Sequence, residues 1–260
     1  MKHPETLLEF EWSLPPGVCA AFTTRLGGVS QPPWNSFNLG AHVGDDASHV
    51  AQNRARLREL LGLRNEPAWL QQVHGTAVAN ADVPPADGPP VVADAAVATH
   101  PDSPCVIMVA DCLPVLFASR DGQRVGAAHA GWRGLAAGVL ENTVTALGLP
   151  PRELTAWLGP AILQDNFEVG ADVRDAFTAS EPAATDYFEP NTRGRWQADL
   201  VGLARHRLEK LGVSDISGGE WCTVADPRLF FSHRRDGKGG RMAALIWKAS
   251  SGCVLASPSP

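Results

Sequence analysis

The sequence lacks the features that mark several specialised classes of protein. It has no C-x-x-C pair among its five cysteines, no excess of basic residues and no apolar run long enough to cross a bilayer. Its net charge of −6 argues against a broad surface for nucleic acid. The first twelve residues carry glutamates where a signal peptide needs an apolar run, so we expect none. An odd number of dispersed cysteines is not a disulfide framework, so we predict a cytoplasmic protein without membrane or nucleic-acid partners.

The composition is that of an ordinary globular protein. Of its 260 residues, 44% are hydrophobic and 19% are charged, which allows a sizeable core to form. The chain has no internal repeat and no low-complexity tract. We therefore expect one domain over residues 1–260, acting as a monomer.

Short apolar segments alternate with amphipathic helices along the chain. Strands are predicted at the start of 18–30 and at 68–78, 94–100, 153–162, 220–226 and 241–248. Helices are predicted at 48–61, with Ser48 as N-cap and Gly62 just past the end, at 132–148, and at 198–211, with Asp199 near the start. Because several strands are linked by hairpins, we predict an α/β fold with a mixed sheet.

The segment from Pro104 to Gly134 carries the most informative pattern. Two apolar runs flank Asp121-Gly122, a dipeptide typical of tight hairpin turns. With these two residues as the loop, His129 pairs with Pro114. Cys112 then lies two residues further along the same strand, on the same face. Cys112 and His129 are therefore expected to be diagonal neighbours, close enough to share one ion.

Two interpretations of this cysteine–histidine pair remain open. It can be half of a metal site, or a cysteine nucleophile with its histidine base. A third donor would favour metal, and His74 in the segment QQVHG is the candidate. Gly75, which follows it, would allow substrate or backbone to approach closely.

Other candidate residues lie at the ends of predicted elements or in loops. Arg25 lies at a predicted strand end, Asn38 and His42 lie in an ordered loop, and Glu168 lies in a short extended piece. A solvated arginine, a structural histidine and a charged loop edge are the alternatives for Arg25, His42 and Glu168.

Arg133 is expected in the first turn of the helix predicted at 132–148. Free backbone N–H groups and the helix dipole favour an anion at such a helix start, directly after His129. The positive charge of Arg133 would strengthen an anion pocket there.

Seven segments of the chain resemble the motifs of a known family. They are TTRLGGVS, PWNSFNLGAHVGDD, QQVHG, ADCLPVLFAS, GAAHAGWRGL, LGPAI with FEVG, and FFSHRRDGKGGR. In order and spacing they are similar to the YfiH-like proteins. These are also called multicopper polyphenol oxidase (laccase)-like proteins, peptidoglycan editing factors and laccase-domain purine nucleoside phosphorylases. The resemblance covers residues from about 18 to 248.

The resemblance implies a fold, a metal centre and an activity. The fold would be an α/β/β/α sandwich grouped with cysteine-hydrolase-like proteins. The family's catalytic and metal-binding His, Cys and His fall on His74, Cys112 and His129, with zinc the most frequent metal and copper an alternative. The implied reactions are phosphorolysis of purine nucleosides (adenosine, inosine, guanosine and methylthioadenosine) and deamination of adenosine. A tetrahedral zinc ion with three protein ligands keeps one position open for chemistry.

The small-molecule partners implied are a purine nucleoside and phosphate. Phosphate must be held while it attacks the ribose as positive charge builds on the sugar. We expect Arg25, Asn38 and Arg133 to bind substrate or phosphate, the arginines by charge-assisted hydrogen bonds.

Three alternative functions fit parts of the pattern. A peptidoglycan-precursor editing hydrolase agrees with one of the family names. A metal-free cysteine hydrolase would use Cys112 as nucleophile and His129 as base. A copper-dependent polyphenol oxidase (laccase) fits less well, because it needs several coupled coppers and the eight histidines are scattered without His-x-His pairs.

Overall fold

The computed structural model describes residues 5–83 and 88–253. The strands are β1 (Val18–Phe22), β2 (Val78–Asn80), β3 (Ala95–Ala98), β4 (Cys105–Val109), β5 (Leu113–Ser119), β6 (Val125–Ala130), β7 (Leu154–Leu158), β8 (Glu168–Val169), β9 (Phe188–Pro190), β10 (Trp196–Ala198), β11 (Asp215–Gly218) and β12 (Met242–Lys248). The helices are α1 (Ala47–Leu61), α2 (Trp132–Ala137), α3 (Val139–Leu147), α4 (Ala171–Thr178), α5 (Leu200–Leu211) and α6 (His233–Asp236). The predicted mixed α/β class is confirmed.

The strands of the described residues form three sheets. The largest has the order β11-β7-β5-β6-β3-β2, a second has the order β1-β12-β4, and a small one has the order β8-β10-β9. The largest sheet is mixed, since β11–β7 and β2–β3 pair in parallel and its other pairs are antiparallel.

Two sheets pack face to face between layers of helix. Phe22 and Ile107 of the three-stranded sheet share a core with Leu116 of the six-stranded sheet. The other face of the six-stranded sheet packs on α3, α4 and α5. The outer face of the three-stranded sheet packs on α1, where Leu57 is fully buried. The layers therefore follow the order α/β/β/α, while the grouping with cysteine hydrolases stays a prediction.

The central hairpin has the predicted register but a longer loop. Pro114 pairs with His129, as the Asp-Gly turn indicated. The backbone N–H of Ser119 donates to the carbonyl of Arg124 at 2.8 Å, so residues 120–123 form the loop. The Asp121 carboxylate accepts from the Ser119 hydroxyl at 2.6 Å. This side-chain contact stabilises a wider turn, and the register survives because one residue is added on each side.

The helix predicted at 132–148 is interrupted. Gly138 adopts a left-handed conformation with φ 100° and ends α2, while α3 begins at the next residue. The N-cap of α1 is Asp46 rather than Ser48, because its carboxylate accepts the backbone N–H of Ser48 at 2.7 Å. Gly62 ends α1 as predicted, with φ 62°.

Two predicted strands are wrong. Residues 68–78 contribute an isolated bridge at Gln71 and then a turn, and regular pairing starts only at β2. Residues 220–226 form a bridge at Cys222 followed by turns. In the first segment the carboxylate of Asp94 accepts backbone N–H groups that a strand neighbour would otherwise take. In the second, the N–H of Thr223 donates to the carbonyl of Ala161, and the pairing does not extend beyond this bridge.

The cysteines also differ from the prediction. Cys19 and Cys253 form a disulfide that joins β1 to the C-terminal segment, and Cys105, Cys112 and Cys222 are free thiols. The pairing leaves no trace in the sequence, because the two cysteines are 234 residues apart. The sequence also predicts a frayed end for the tail at 250–260, and this prediction falls largely on residues 254–260, outside the described residues. Among the described helices, none combines the length and apolar character that a bilayer crossing requires.

Candidate metal centre

The fold brings together the three residues that the sequence singled out. Cys112 lies in the connection between β4 and β5, His129 lies in β6, and His74 lies in the turn before β2. One ligand atom of each residue lies within 4.8 Å of the other two. Cys112 Sγ is 3.8 Å from His74 Nε2. Because His129 is buried, Cys112 is half-buried and His74 is exposed, the group opens to solvent on the His74 side.

A buried carboxylate, Asp94, holds both histidines. It lies just before β3, has no exposed surface, and accepts a hydrogen bond from His129 Nδ1 at 2.8 Å. It also accepts the backbone N–H groups of Val73, His74 and Gly75, at 3.1, 2.8 and 2.7 Å. One side chain thus links the His74 turn to the His129 ring.

The contact with Asp94 decides which nitrogen of His129 is available. A carboxylate only accepts hydrogen bonds, so Nδ1 must carry the proton that it donates. The lone pair of a neutral His129 is then on Nε2, the nitrogen that remains for a metal.

The His74 turn is anchored on a second side by Gln72. Its side-chain amide donates to the carbonyl of Met108, and its oxygen accepts the N–H of the same residue, both at 2.8 Å. Met108 belongs to β4, an edge strand, so Gln72 takes the place of a missing strand neighbour there. His74 itself has φ 60°, which is uncommon for a residue other than glycine.

The cysteine side of the group is arranged differently. Asp111, directly before Cys112, has φ 88° and is buried. Its carboxylate accepts from the Thr223 hydroxyl and from the backbone N–H of Arg234, both at 2.6 Å. Its carbonyl accepts the N–H of Ile162 at 2.9 Å. Asp111 therefore connects the segments around Ile162, Thr223 and Arg234 to the backbone that carries Cys112.

Gly131 leaves room for the ligands. A Cβ at this position would lie 2.9 Å from both Cys112 Sγ and His74 Cδ2. The backbone at Gly131, with φ −61° and ψ 154°, is open to any residue. The absence of a side chain is therefore required by the close approach, and not by the backbone conformation.

The charges of Cys112 and His129 support each other. Burial opposes ionisation of Cys112, but His129 and His74 outweigh it and lower the pKa of the thiol to about 6. Burial likewise opposes a charged His129, but Cys112 and Asp94 raise the pKa of the imidazole to about 9. Between these values the metal-free pair is a thiolate beside an imidazolium. A metal that binds both groups must displace the proton of His129.

Arg25 lies among main-chain carbonyls. It donates from Nε and a terminal nitrogen to Asn35 O, and from its other terminal nitrogen to Pro227 O, each at 3.1 Å. Its guanidinium lies 4.7 Å from the centre of the Phe231 ring. The structure therefore favours a role in holding loops together over the predicted contact with phosphate.

Asn38 has no exposed surface and uses its whole amide inside the protein. The amide nitrogen donates to Gly40 O at 3.2 Å and to Asp45 Oδ2 at 2.9 Å. Its oxygen accepts the backbone N–H groups of Gly40 and Arg241, both at 2.9 Å. With these contacts made, Asn38 orders its loop, and we do not assign it to substrate.

Arg133 is exposed in the first turn of α2, with its guanidinium 4.2 Å from the centre of the Trp132 ring. It is two residues from Gly131, which borders Cys112 and His74, so it stays a candidate for phosphate. Because α2 has six residues, its dipole is weaker than that of the long helix we predicted.

His42 and Glu168 were open between functional and structural roles. His42 is exposed, although neighbouring residues partly desolvate its ring. This desolvation lowers its pKa, and the charges of Arg241, Arg54 and His129 lower it further. Glu168 pairs with Arg193 and accepts a hydrogen bond from Asn191 at 2.8 Å. These contacts favour the charged-edge interpretation for Glu168.

Sequence reasoning missed Asp94, Asp111 and Gln72. Asp94 carried a weak signal, as a lone acidic residue between apolar residues at the start of a predicted strand. Asp111 and Gln72 lie within the predicted ligand motifs, one and two residues before Cys112 and His74. Their partners lie 36 to 123 residues away, so adjacency alone could not assign them.

The fold and the site define a class of α/β-sandwich proteins with a solvent-open His-Cys-His group. Within that class, the chain belongs to the family described as "Multi-copper polyphenol oxidoreductase laccase", whose sequence pattern matches residues 19–249.

Relatives of known name agree with this family. A protein named purine nucleoside phosphorylase from Pseudomonas aeruginosa is 52% identical over 238 residues, which is 91% of this chain and 96% of the relative. Purine nucleoside phosphorylase YfiH from Escherichia coli is 49% identical over 240 residues, with the same coverage of 91% and 96%. The names of the family and of these relatives are those of enzymes.

Solved structures share the fold over nearly the whole chain. A Neisseria meningitidis protein has a TM-score of 0.89 at 49% identity and covers 94% of this chain and 100% of its own. YlmD from Geobacillus stearothermophilus has a TM-score of 0.85 at 31% identity, with 95% and 100% covered.

Proposed function

We propose that the protein is a zinc-dependent purine nucleoside phosphorylase that also deaminates adenosine. The substrates would be adenosine, inosine, guanosine and methylthioadenosine with phosphate, giving the base and ribose-1-phosphate. The single observation that carries the proposal is the convergence of His74, Cys112 and His129. The relatives named as purine nucleoside phosphorylases support the choice of substrate class.

The donor set fits zinc. Two imidazoles and one thiolate are zinc ligands, and a site with three protein ligands is typical of catalytic zinc. In a tetrahedral site with ordinary bond lengths, ligand atoms are separated by roughly 3.3–3.6 Å. The sulfur–nitrogen distance of 3.8 Å between Cys112 and His74 is close to that spacing. The carboxylate behind His129 is the partner that metal-binding histidines usually have.

His74, Cys112 and His129 would hold the metal. When bound, zinc supplies a Lewis acid with an open coordination position, which suits both orientation of phosphate and activation of water. The exposed Arg133 would hold the phosphate anion by charge-assisted hydrogen bonds during attack at the ribose C1′. Holding phosphate and nucleoside side by side lowers the entropic part of the barrier.

Product analysis with adenosine and phosphate tests the proposal. Adenine with ribose-1-phosphate is the expected product of phosphorolysis, and inosine is that of deamination. Both should disappear in Cys112→Ala and after chelation, and zinc should restore them only in the chelated wild type. Metal analysis of protein purified without added copper separates a zinc enzyme from a copper oxidase. If the zinc-loaded protein formed neither adenine nor inosine, the assignment would be contradicted.

A second candidate function is favoured by one observation. Cys112, His129 and Asp94 stand in the order of nucleophile, base and orienting carboxylate, with the thiol pKa lowered to about 6. A metal-free cysteine hydrolase, including one that removes an amino acid from a peptidoglycan precursor, would use this arrangement. Release of amino acid from such a precursor, unaffected by chelators, is its test. Loss of that activity on chelation, with recovery on adding zinc, would rule it out.

A further inference from the structure

The carboxylate of Asp94 accepts four hydrogen bonds at the candidate metal centre. Oδ1 accepts from His74 N and His129 Nδ1, both at 2.8 Å, and Oδ2 accepts from Val73 N and Gly75 N at 3.1 and 2.7 Å. All four donors belong to the two histidine ligands or to neighbours of His74. We propose that Asp94 is the positioning residue that sets both histidines for metal, an inference that rests on the proposed metal centre.

The first consequence concerns the ring of His129. The Oδ1 contact fixes the proton on Nδ1 and so leaves the Nε2 lone pair for the metal. The ring is buried, so water does not provide an alternative partner for Nδ1. Without the carboxylate, the ring can carry its proton on either nitrogen, and only one of these forms has Nε2 free.

The second consequence concerns the backbone of His74. Three successive N–H groups, from Val73 to Gly75, point at one carboxylate, which is how a turn without strand neighbours can satisfy them. The left-handed conformation of His74, with φ 60°, is retained because this contact holds it. The direction of the His74 side chain follows from that backbone conformation.

Both consequences require a charged carboxylate rather than any polar group. Both oxygens of Asp94 act as acceptors toward N–H donors, two on each oxygen, which is the role of an ionised carboxylate. An asparagine has only one accepting oxygen. If that oxygen replaces Oδ1, the NH₂ group faces the N–H groups of Val73 and Gly75. If it replaces Oδ2, the NH₂ group faces His129 Nδ1 and forces the proton onto Nε2.

The variant Asp94→Asn therefore weakens metal binding whichever way its amide turns. The matched control is Asp82→Asn, because Asp82 also accepts four hydrogen bonds, from Thr99 and His100, and none of them reaches the ligands. Zinc affinity is measured by competition with a colorimetric chelator, and the site is observed through the absorption bands of Co²⁺. We expect the Kd for zinc to rise 10- to 100-fold in Asp94→Asn and to stay within about threefold in Asp82→Asn.

The outcomes separate this inference from the proposed function. A folded Asp94→Asn protein with wild-type Kd and unchanged Co²⁺ bands overturns the role of Asp94 alone. Wild-type protein that binds neither Zn²⁺ nor Co²⁺ overturns the metal centre as well. If Asp94→Asn does not fold, ¹⁵N NMR of the histidines in the zinc-loaded wild type decides. We expect His129 to carry its proton on Nδ1, and a proton on Nε2 would overturn the inference.

Discussion

The two sides of the candidate metal centre are held by aspartates that act in different ways. On the histidine side, Asp94 contacts the ring of one ligand and the backbone of the other. On the cysteine side, the Asp111 carboxylate instead accepts hydrogen bonds from the Thr223 hydroxyl and the backbone N–H of Arg234, neither of which is a ligand. Both carboxylates are buried, with exposed fractions of 0% and 7%.

This difference indicates how each ligand obtains its direction. The histidines depend on side-chain hydrogen bonds, so a change at Asp94 should reach the metal directly. Cys112 depends on the left-handed backbone of the residue before it, so a change at Asp111 should reach stability first. On one side of the site an aspartate thus positions the histidine ligands, and on the other side an aspartate holds distant segments of the chain together.

The largest effect is expected from Asp111→Ala, on stability. The buried Thr223 hydroxyl and the Arg234 N–H would each lose a partner, at about 1–3 kcal/mol. The left-handed backbone at φ 88° is already present with aspartate, so it adds little to the difference. We expect the free energy of unfolding in urea to fall by about 2–6 kcal/mol. Zinc affinity of the folded fraction should stay within about threefold.

Asp111→Asn is the graded control for that prediction. Asparagine tolerates the left-handed region and keeps one accepting oxygen. The free energy of unfolding should therefore fall roughly half as much as in Asp111→Ala. If either Asp111 variant weakened zinc binding tenfold while stability stayed nearly constant, the two aspartates would act alike. That result would contradict the different roles inferred for Asp94 and Asp111.

The second effect is on the reactivity of Cys112 in metal-free protein. Its pKa of about 6 means that the thiolate forms as pH rises through 6, well below the ordinary range of a thiol. The rate of alkylation by iodoacetamide, followed by mass spectrometry of the peptide that contains residue 112, should have its pH midpoint near that pKa. Bound zinc should protect the Cys112 thiol from alkylation. Asp94→Asn should move the midpoint upward, since His129 loses the contact that favours its charge. Asp111→Asn should move it little.

Cys222 provides the internal reference for this experiment, because it is a free, half-buried thiol that contacts Asn166 and is not part of the His-Cys-His group. Equal pH profiles for Cys112 and Cys222 would contradict the charge pairing with His129.

The histidine–cysteine pairing could be predicted because it depends on local rules. The Asp-Gly turn fixed the register of β5 and β6, and side-chain alternation then placed Cys112 near His129. The turn itself was wrong by two residues, but a symmetric insertion leaves register unchanged. The convergence of His74 was indicated by residue type and by the family resemblance, not by any spacing.

The supports of the site could not be predicted, because each joins segments far apart in the chain. Asp94 is 35 residues from His129, and Asp111 is 123 residues from Arg234. Apolar periodicity continued through Gly138 and concealed the break between α2 and α3. The sequence around His74 predicted a strand, but its backbone N–H groups donate to the carboxylate of Asp94 and not to a neighbouring strand. Apolar periodicity does not record such a side-chain partner.

The third prediction tests both sides at once with Gly131→Ala. The added methyl would stand 2.9 Å from Cys112 Sγ and from His74 Cδ2, so at least one ligand must move. We expect zinc affinity to fall at least tenfold, which is about 1.4 kcal/mol. Cys112 should give way, because its side-chain hydrogen bond is to another candidate ligand, His74, whereas Asp94 holds the His74 turn from outside the ligand group. The charge-transfer band of sulfur to Co²⁺ should therefore weaken.

Gly88→Ala is the control for the added methyl, since no atom of the described residues lies within 4 Å of a Cβ there. A full sulfur band with altered ligand-field bands would show that His74 moves instead, and the histidine side would then be the weaker one.

The smallest effect is expected from Gln72→Ala, which tests whether the His74 turn needs its second anchor. The substitution removes both hydrogen bonds to Met108 and should lower the free energy of unfolding by about 1 kcal/mol. Gln71→Ala, at an exposed neighbour, is the control. If Asp94 alone sets the direction of His74, zinc affinity should stay within about twofold. A tenfold loss would mean that β4 positions His74 as well, and the histidine side would then depend on the three-stranded sheet through Met108.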